Sequence, residues 1–497
     1  MMRRIFALFL AVLCITPALL AKAEPAAQKA GAAIDEFILS QMELGQIPGL
    51  SLGIVEDGQI TCLKGYGVLE KGGAPVTPDT PFEVGSVGKS FTALCIRKLA
   101  IEGKVDYDAP VTDYIPWFTL QDEKEASLIR IKDLLRHQSG LSTVDGNAAW
   151  TYNENLTIEQ AVRNMRGISP NRKAGTTEEY SNLNFILLGL VVEKASGMSY
   201  ADYITQNVFA PLQMDGSFPS RLDMGNTVPA RGHYTPYGLL LPNFQQVPKA
   251  QVPAGFQVSS ARDMTRYAAL LLNNGYDGGG ISVIPGNELK PLAKDVKPTL
   301  ADKRYNAYWT IESGPVLGNG YHGHAGASSG YTSVLLINNM RRRAIVVLAN
   351  CRNTSAVPEI SAQTIGNQIA SILNTGKVPA AVKYERPGLA ASLAALLAAL
   401  LLPLLRLLLT KRFKNALARG GWRKSFALIT FALLDMLAPL GLLIGMPLFY
   451  GNTWPYFLAS GMEIPLPALI ASLLLLGTGV LKTGLLMKKR FKTIPVE

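Results

Sequence analysis

Ser86 and Lys89, in the run Ser86-Val87-Gly88-Lys89, stand three residues apart at the head of a helix-periodic segment. That spacing puts a hydroxyl and an amine on one helical face, about one turn apart. A serine becomes a nucleophile when a neighbour takes or steers its proton, and a helix N-terminus favours the developing alkoxide. Alone the pattern is weak, since about two such spacings arise by chance in a chain of this length. Two further elements share its chemistry. Tyr180-Ser181-Asn182 lies at the entry of a helix expected over 183–195 and closed by Gly197, where a turn can present a phenol to a cleft. A phenol serves as a base only when a neighbouring cation lowers its pKa from about 10, and Lys89 is the cation at hand. Gly323-His324-Ala325-Gly326-Ala327 sets a histidine between glycines on a strand, so a substrate backbone can approach that strand closely. His137, in Arg136-His137-Gln138-Ser139-Gly140-Leu141, reads as structural.

The elements that must position these groups follow from periodicity. Leu50 to Val55 and Ile60 to Leu69 are strand-like runs joined by the turn signal Glu56-Asp57-Gly58. Tyr331 to Ile337 and Ala344 to Leu348 form a second hairpin across Asn338-Asn339. Between them the pattern is helical. Phe91, Leu94, Leu99 and Ile101 follow Ser86 at helical spacing, with Gly103 as the stop. Thr157-Ile158-Glu159-Gln160 has capping-box form, and Ser260-Ala261-Arg262-Asp263 opens a helix ending in Asn274-Gly275. A last helix is expected from about Val357 to Leu373, before Gly376. Strands from distant chain segments with helices between them predict an α+β domain of two lobes, with a cleft where they meet.

Taken together, the three elements resemble the serine penicillin-binding proteins and class C β-lactamases, whose motifs are S-x-x-K, Y-x-N and K/H-x-G. Order and separation match over about residues 30–375. The surroundings match as well: Phe82-Glu83-Val84-Gly85, His137-Gln138-Ser139-Gly140-Leu141, Leu188-Gly189 and Ser259-Ser260-Ala261-Arg262-Asp263. The resemblance implies a β-lactamase/DD-peptidase-like fold, an antiparallel sheet flanked by helices plus an all-helical lobe. It also implies acyl transfer. Ser86 attacks a carbonyl, Lys89 and Tyr180 move its proton and later activate water, and Asn182 positions substrate and Lys89. His324, Gly326 and Ala327 bind substrate, and the N–H groups of Ser86 and Ala327 form the oxyanion hole, with no metal or organic cofactor required. The chain departs from the pattern at His324-Ala325, where a lysine followed by a hydroxyl residue gives a permanent charge and a donor for a substrate carboxylate. The expected substrate is therefore a small peptide, amide or ester, D-alanyl peptides of the cell wall among them, rather than a penicillin. A β-lactamase or esterase of the same fold is the alternative. A non-catalytic peptidoglycan sensor signalling through membrane spans has no use for Ser86, Lys89 and Tyr180 together. A transporter needs more spans than this chain has.

Composition places the domain. The 497 residues are 48% hydrophobic, and the mean hydropathy of +0.17 exceeds that of ordinary soluble proteins. The excess sits at the ends. Met1-Met2-Arg3-Arg4, an apolar run from Ile5 to Leu20 and Ala21-Lys22-Ala23 read as a signal peptide over residues 1–23; Cys14 lacks a lipidation context. An extracytoplasmic catalytic domain is expected over 24–386 and a membrane domain over 387–497, with spans at about 388–409, 426–450 and 466–487. Twelve basic and three acidic residues lie from Arg406 onward, and three cations lie in the first 23 residues. Of the net +11, the body between them keeps −1, which excludes a nucleic-acid face. Lys411, Arg412, Lys414, Arg419, Arg423 and Lys424 crowd the first connection, Lys488-Lys489-Arg490 follow the third span, and the second connection has Trp454, Tyr456 and Glu463 without a cation. By the positive-inside rule the first connection and the C-terminus are cytoplasmic. Asp435, the acid of the second span, is expected to pair with Arg406 or to seal a helix contact. Cys62, Cys95 and Cys351 allow at most one disulfide and have no metal-ligand spacing.

Overall fold

The computed structural model describes residues 31–149, 155–236, 239–244, 246–273, 305–306, 309–310, 321–328, 330–353, 360–378, 387–450 and 465–491. The expected signal peptide, Asn274-Gly275 and the second connection of the membrane segment lie outside them.

Five strands make the main sheet: β1 (Gly49–Glu56), β2 (Gln59–Gly67), β3 (His322–Ser328), β4 (Tyr331–Asn338) and β5 (Arg343–Ala349). They are all antiparallel, in the order β2-β1-β5-β4-β3. The β1–β2 turn forms where Asp57 and Gly58 both take positive φ, 50° and 78°, the geometry that matches strand twist. The second predicted hairpin is β4–β5, pairing Val334 with Val347. The two sequence ends meet at the centre of the sheet, where Leu52 of β1 pairs with Val347 of β5.

Both faces of the sheet are covered. Val334 and Leu336 point to one core, with Leu50, Leu52, Ile345 and Ile369; Leu335 and Ile337 point to the other. A strand buried on both sides shows no alternation of polar and apolar residues, and β4 reads as the continuous run Val334-Leu335-Leu336-Ile337. The first core lies under helix α1 (residues 31–45) and α5 (Ala362–Thr375). The second joins the sheet to α2 (Lys89–Ile101), α3 (Asn182–Ser196) and α4 (Ala261–Leu272).

Helix ends fall where side chains satisfy free backbone groups. Thr157 and Gln160 make both capping-box bonds, Ser260 accepts from the Asp263 N–H, and Ser361 caps α5. Each such cap is worth about 1 kcal/mol. The Ser361 cap starts α5 at Ala362, later than the Val357 expected from periodicity. Every residue of α3 from Asn182 to Val192 is buried, so this helix is the axis of the helical lobe and is apolar on all sides.

Beyond residue 386, three long helices follow. α6 spans Pro387–Leu408, α7 runs from Gly421 to Tyr450 through a π-helical turn at Ala432–Leu437, and α8 spans Pro465–Phe491. Two stretches, Gly421–Pro447 and Pro467–Met487, are long and apolar enough to cross a bilayer, and Leu397–Leu408 forms a shorter apolar helix. The cation-rich first connection is itself helical over Thr410–Arg419. The cysteines Cys62, Cys95 and Cys351 are free thiols, the last two buried in the cores.

Candidate active site

The nucleophile is set by a strand, a turn and a helix in succession. Phe82 and Glu83 pair with Ser259 and Val258, and the Val84 N–H donates to Gln257 O at 2.9 Å. Gly85 then turns with φ of +52°, and a 3-10 turn over Gly85–Gly88 leads into α2. Ser86 therefore sits in the 3-10 turn, ahead of the α-helix in which sequence periodicity put it, and Lys89 is the first residue of α2.

Lys89 is buried, with 1% of its surface exposed. Its Nζ lies 3.2 Å from Ser86 Oγ and donates to Asn182 Oδ1 at 2.8 Å and to Ala254 O. The Tyr180 and Phe185 rings lie 5.0 and 5.6 Å from it. Burial holds the Lys89 pKa well below the usual lysine range. A dry ammonium without a carboxylate costs several kcal/mol, so burial favours the neutral amine. A neutral amine has two N–H donors, which Asn182 Oδ1 and Ala254 O take, and one lone pair, which faces Ser86 Oγ. Lys89 is thus not a solvated side chain.

Ala254 reaches Lys89 because Gly189 of α3 has no side chain: a Cβ there would fall 2.3 Å from Pro253. The same segment is tied to α2, where Thr92 Oγ1 donates to Pro253 O at 2.7 Å and lies 2.6 Å from Tyr200 Oη. Tyr180 Oη donates to Ser86 Oγ at 2.8 Å across 94 residues of sequence. Ser181 is the N-cap of α3 and Asn182 its first residue, so the cap falls one position before Asn182.

The third element is β3, the end strand among those described. Ser333 Oγ donates to Val84 O at 2.6 Å, and a Cβ on Gly326 would fall 2.1 Å from that carbonyl. The glycine is what brings the strand against the turn that carries Ser86. Gly85 lies beside Ala327, whose amide nitrogen is 2.6 Å from where a Gly85 Cβ would stand. The Ala327 amide thus lies beside the turn that carries Ser86, and both residues line one cavity, as an oxyanion donor and its partner would. A cavity of about 340 Å³ opens here, lined by Ser86, Tyr180, Asn182, His324, Gly326 and Ala327 among others. All seven predicted site residues, Lys89 included, are in one place.

His324 is uncharged. Its Nδ1 lies 2.5 Å from Ala325 O, an acceptor only, so Nδ1 carries the proton and Nε2 is an acceptor. Nε2 is buried and has no partner among the described residues. Burial pulls the His324 pKa down to about 3.

Residues 34–366 match the family model described as Beta-lactamase. The chain belongs to the β-lactamase family. Protein flp of Staphylococcus aureus (strain N315) is 29% identical over 360 residues, 69% of each chain. The unguisins hydrolase ungD' of Aspergillus campestris is 29% identical over 252 residues, 49% of this chain and 47% of that one. Among solved structures, the octameric penicillin-binding protein homologue of Pyrococcus abyssi shares 25% identity with a TM-score of 0.57, covering 69% of this chain and 77% of that one. The D-amino acid amidase of Ochrobactrum anthropi SV3 with D-phenylalanine shares the fold: TM-score 0.58 at 20% identity, over 70% of this chain and 99% of that one.

Seen as a β-lactamase-family site, the cleft also has parts that sequence reasoning passed over. His137 is structural, as its surroundings indicated, but it supports the catalytic constellation directly. Its ring stacks on Tyr180 with centroids 4.5 Å apart, and Nδ1 lies 3.1 Å from the Ser181 N–H and 2.9 Å from Asn184 Nδ2. Ser139 Oγ donates to Asn184 Oδ1 at 2.5 Å, so the His137–Ser139 turn holds the Tyr180–Asn182 turn. Asn147, Arg352, Ser361 and Gln363 line the cavity as well. Arg352 stands on a two-residue strand after β5, and no local pattern around it signals a site.

Proposed function

We propose that this chain is a membrane-anchored serine hydrolase that forms an acyl-enzyme with small amides or esters, D-alanyl amides and peptides among them. The observation that carries this reading is the double contact on Ser86 Oγ: Lys89 Nζ at 3.2 Å and Tyr180 Oη at 2.8 Å. Lys89 takes the Ser86 proton as the oxygen attacks the carbonyl, the Ser86 and Ala327 amides hold the oxyanion, and Tyr180 gives its proton to the leaving nitrogen or oxygen. A water then attacks the acyl group from the open cavity, Tyr180 taking its proton back from that water while Lys89 returns its proton to Ser86 Oγ. One oxyanion donor contributes about 3–4 kcal/mol to such a step.

The substrate class follows from His324. Its neutral ring offers Nε2 as an acceptor to a substrate N–H and no charge to a carboxylate beside the scissile bond. Hydrolysis of D-alanyl amides and peptides is therefore expected, with acylation by benzylpenicillin slow. The variant His324→Lys/Ala325→Thr restores a cation and a hydroxyl, and should raise the rate of the penicillin adduct at Ser86, followed by intact mass, by about tenfold or more. Fast acylation of the unaltered chain would remove the basis for this substrate choice.

We place the domain outside the cytoplasmic membrane, with α6, α7 and α8 as three spans. Support comes from the lengths and composition of the helices and from the cations between α6 and α7. Alkaline phosphatase fused after Pro387 should be active and after Lys414 silent; the reverse pattern would overturn the topology.

A further inference from the structure

Asp435, expected to meet one cation, meets two. Arg406 of α6 donates from Nε and Nη2 to its two oxygens, both at 2.7 Å, and Lys482 of α8 donates to Oδ2 at 2.5 Å. Asp435 stands in the π-helical turn of α7 and is fully buried, and Lys482 is 1% exposed. One carboxylate between two cations leaves an excess of one positive charge where α6, α7 and α8 pack. In an apolar surrounding an uncompensated charge is costly and calls for an anion.

That excess lies on the wall of a cavity of about 610 Å³, bounded by α6, the 410–419 helix, α7 and α8. Arg412, Arg419 and Arg423 line it too, and none of them pairs with a carboxylate among the described residues. The cavity therefore carries a charge of about +4, with Asp435 its only nearby acid among the described residues. Trp422 and Phe426 stand at its edge, 73% and 60% exposed, the residue types that settle at the headgroup level of a bilayer. An apolar groove lined by Leu401, Leu402, Leu404, Leu405 and Leu408 runs along α6, and Leu402 is one turn from Arg406.

We propose that this cavity binds the phosphate headgroup of an anionic glycerophospholipid, its acyl chain lying along α6. The geometry joins a cationic pocket to an apolar groove at one end of the helices, and a free phosphate ion uses only the first. Basic pockets between spans on the cytoplasmic side suit such headgroups. The proposal rests on the membrane reading of 387–491.

The test uses the full-length chain in mild detergent, with native mass spectrometry after addition of phosphatidylglycerol or phosphatidylcholine at equal ratio. Phosphatidylglycerol should be retained preferentially. Arg419→Gln/Arg423→Gln should weaken its retention about thirtyfold, from roughly a fivefold factor per cation, while hydrolysis is unchanged. Millimolar inorganic phosphate should leave the lipid in place. Equal retention of the two lipids, an unaffected double variant, or displacement by phosphate alone would each overturn the site. Release of the chain from membranes by alkaline carbonate would instead remove the membrane reading, so the two failures are distinguishable.

Discussion

Ser86→Ala should reduce hydrolysis of any accepted amide or ester by a factor on the order of 10⁴–10⁶, the range seen when a nucleophile is removed from an intact site. The change deletes the one atom that Lys89 Nζ and Tyr180 Oη both approach. It leaves the turn unchanged, because Gly85 sets the local backbone, with φ of +52°, and Ser86 lies at the open cavity. Melting temperature should therefore move little, within the change of about 0.5 kcal/mol usual for a substitution that opens no void. The measurement is kcat/KM beside a thermal melt, with the acyl adduct mapped by mass. An adduct at Ser86 in the parent and none in the variant supports the mechanism. Persisting turnover in a folded variant would falsify it.

Lys89→Arg should be nearly as damaging, by about 10³–10⁴ in kcat/KM, although a basic side chain with hydrogen-bond donors is kept. The reason is protonation. Burial holds the Lys89 pKa well below its ordinary value, so the folded enzyme gives up this proton at lower pH than the unfolded chain does. A guanidinium stays charged at any workable pH and has no lone pair to offer Ser86. For the parent, kcat/KM should rise with pH through the depressed Lys89 pKa and then level. Stability should change in the same direction. Between that pKa and the ordinary lysine value the unfolded chain binds the extra proton, so folding stability increases as pH rises through the window. A pH–rate profile without an ascending limb, or an active arginine variant, would show that Lys89 is not the base.

Some of this was legible because its geometry is local. Ser86 and Lys89 come together through a single turn, and the Asp57-Gly58 hairpin, the Thr157/Gln160 box and the Ser260 cap are patterns within a few residues. The family resemblance, resting on three short motifs, put Asn182 beside Lys89, where the structure has it at 2.8 Å. Charge counting found the cation-rich connection and Asp435, since both are properties of composition. It gave no secondary structure to that connection, which is a helix with Phe413 and Leu417 buried one turn apart.

What only the tertiary structure decided is the protonation and surroundings of these groups. Lys89 is a buried amine and not a solvated cation because Ala254 O, Asn182 and two aromatic rings enclose it, and Ala254 gets there through the contact of Pro253 with the bare Gly189. His324 is neutral because it is buried, a fact of packing that its flanking glycines do not encode. Arg352 enters the cavity and Lys482 reaches Asp435 across 47 residues with no pattern to announce either. The sequence by itself determined which chemistry is available and which side chains supply it, since residue type and local spacing are written in the chain. Burial, and with it the charge each group carries, depends on surfaces brought together from distant segments, and these exist only once the chain is folded.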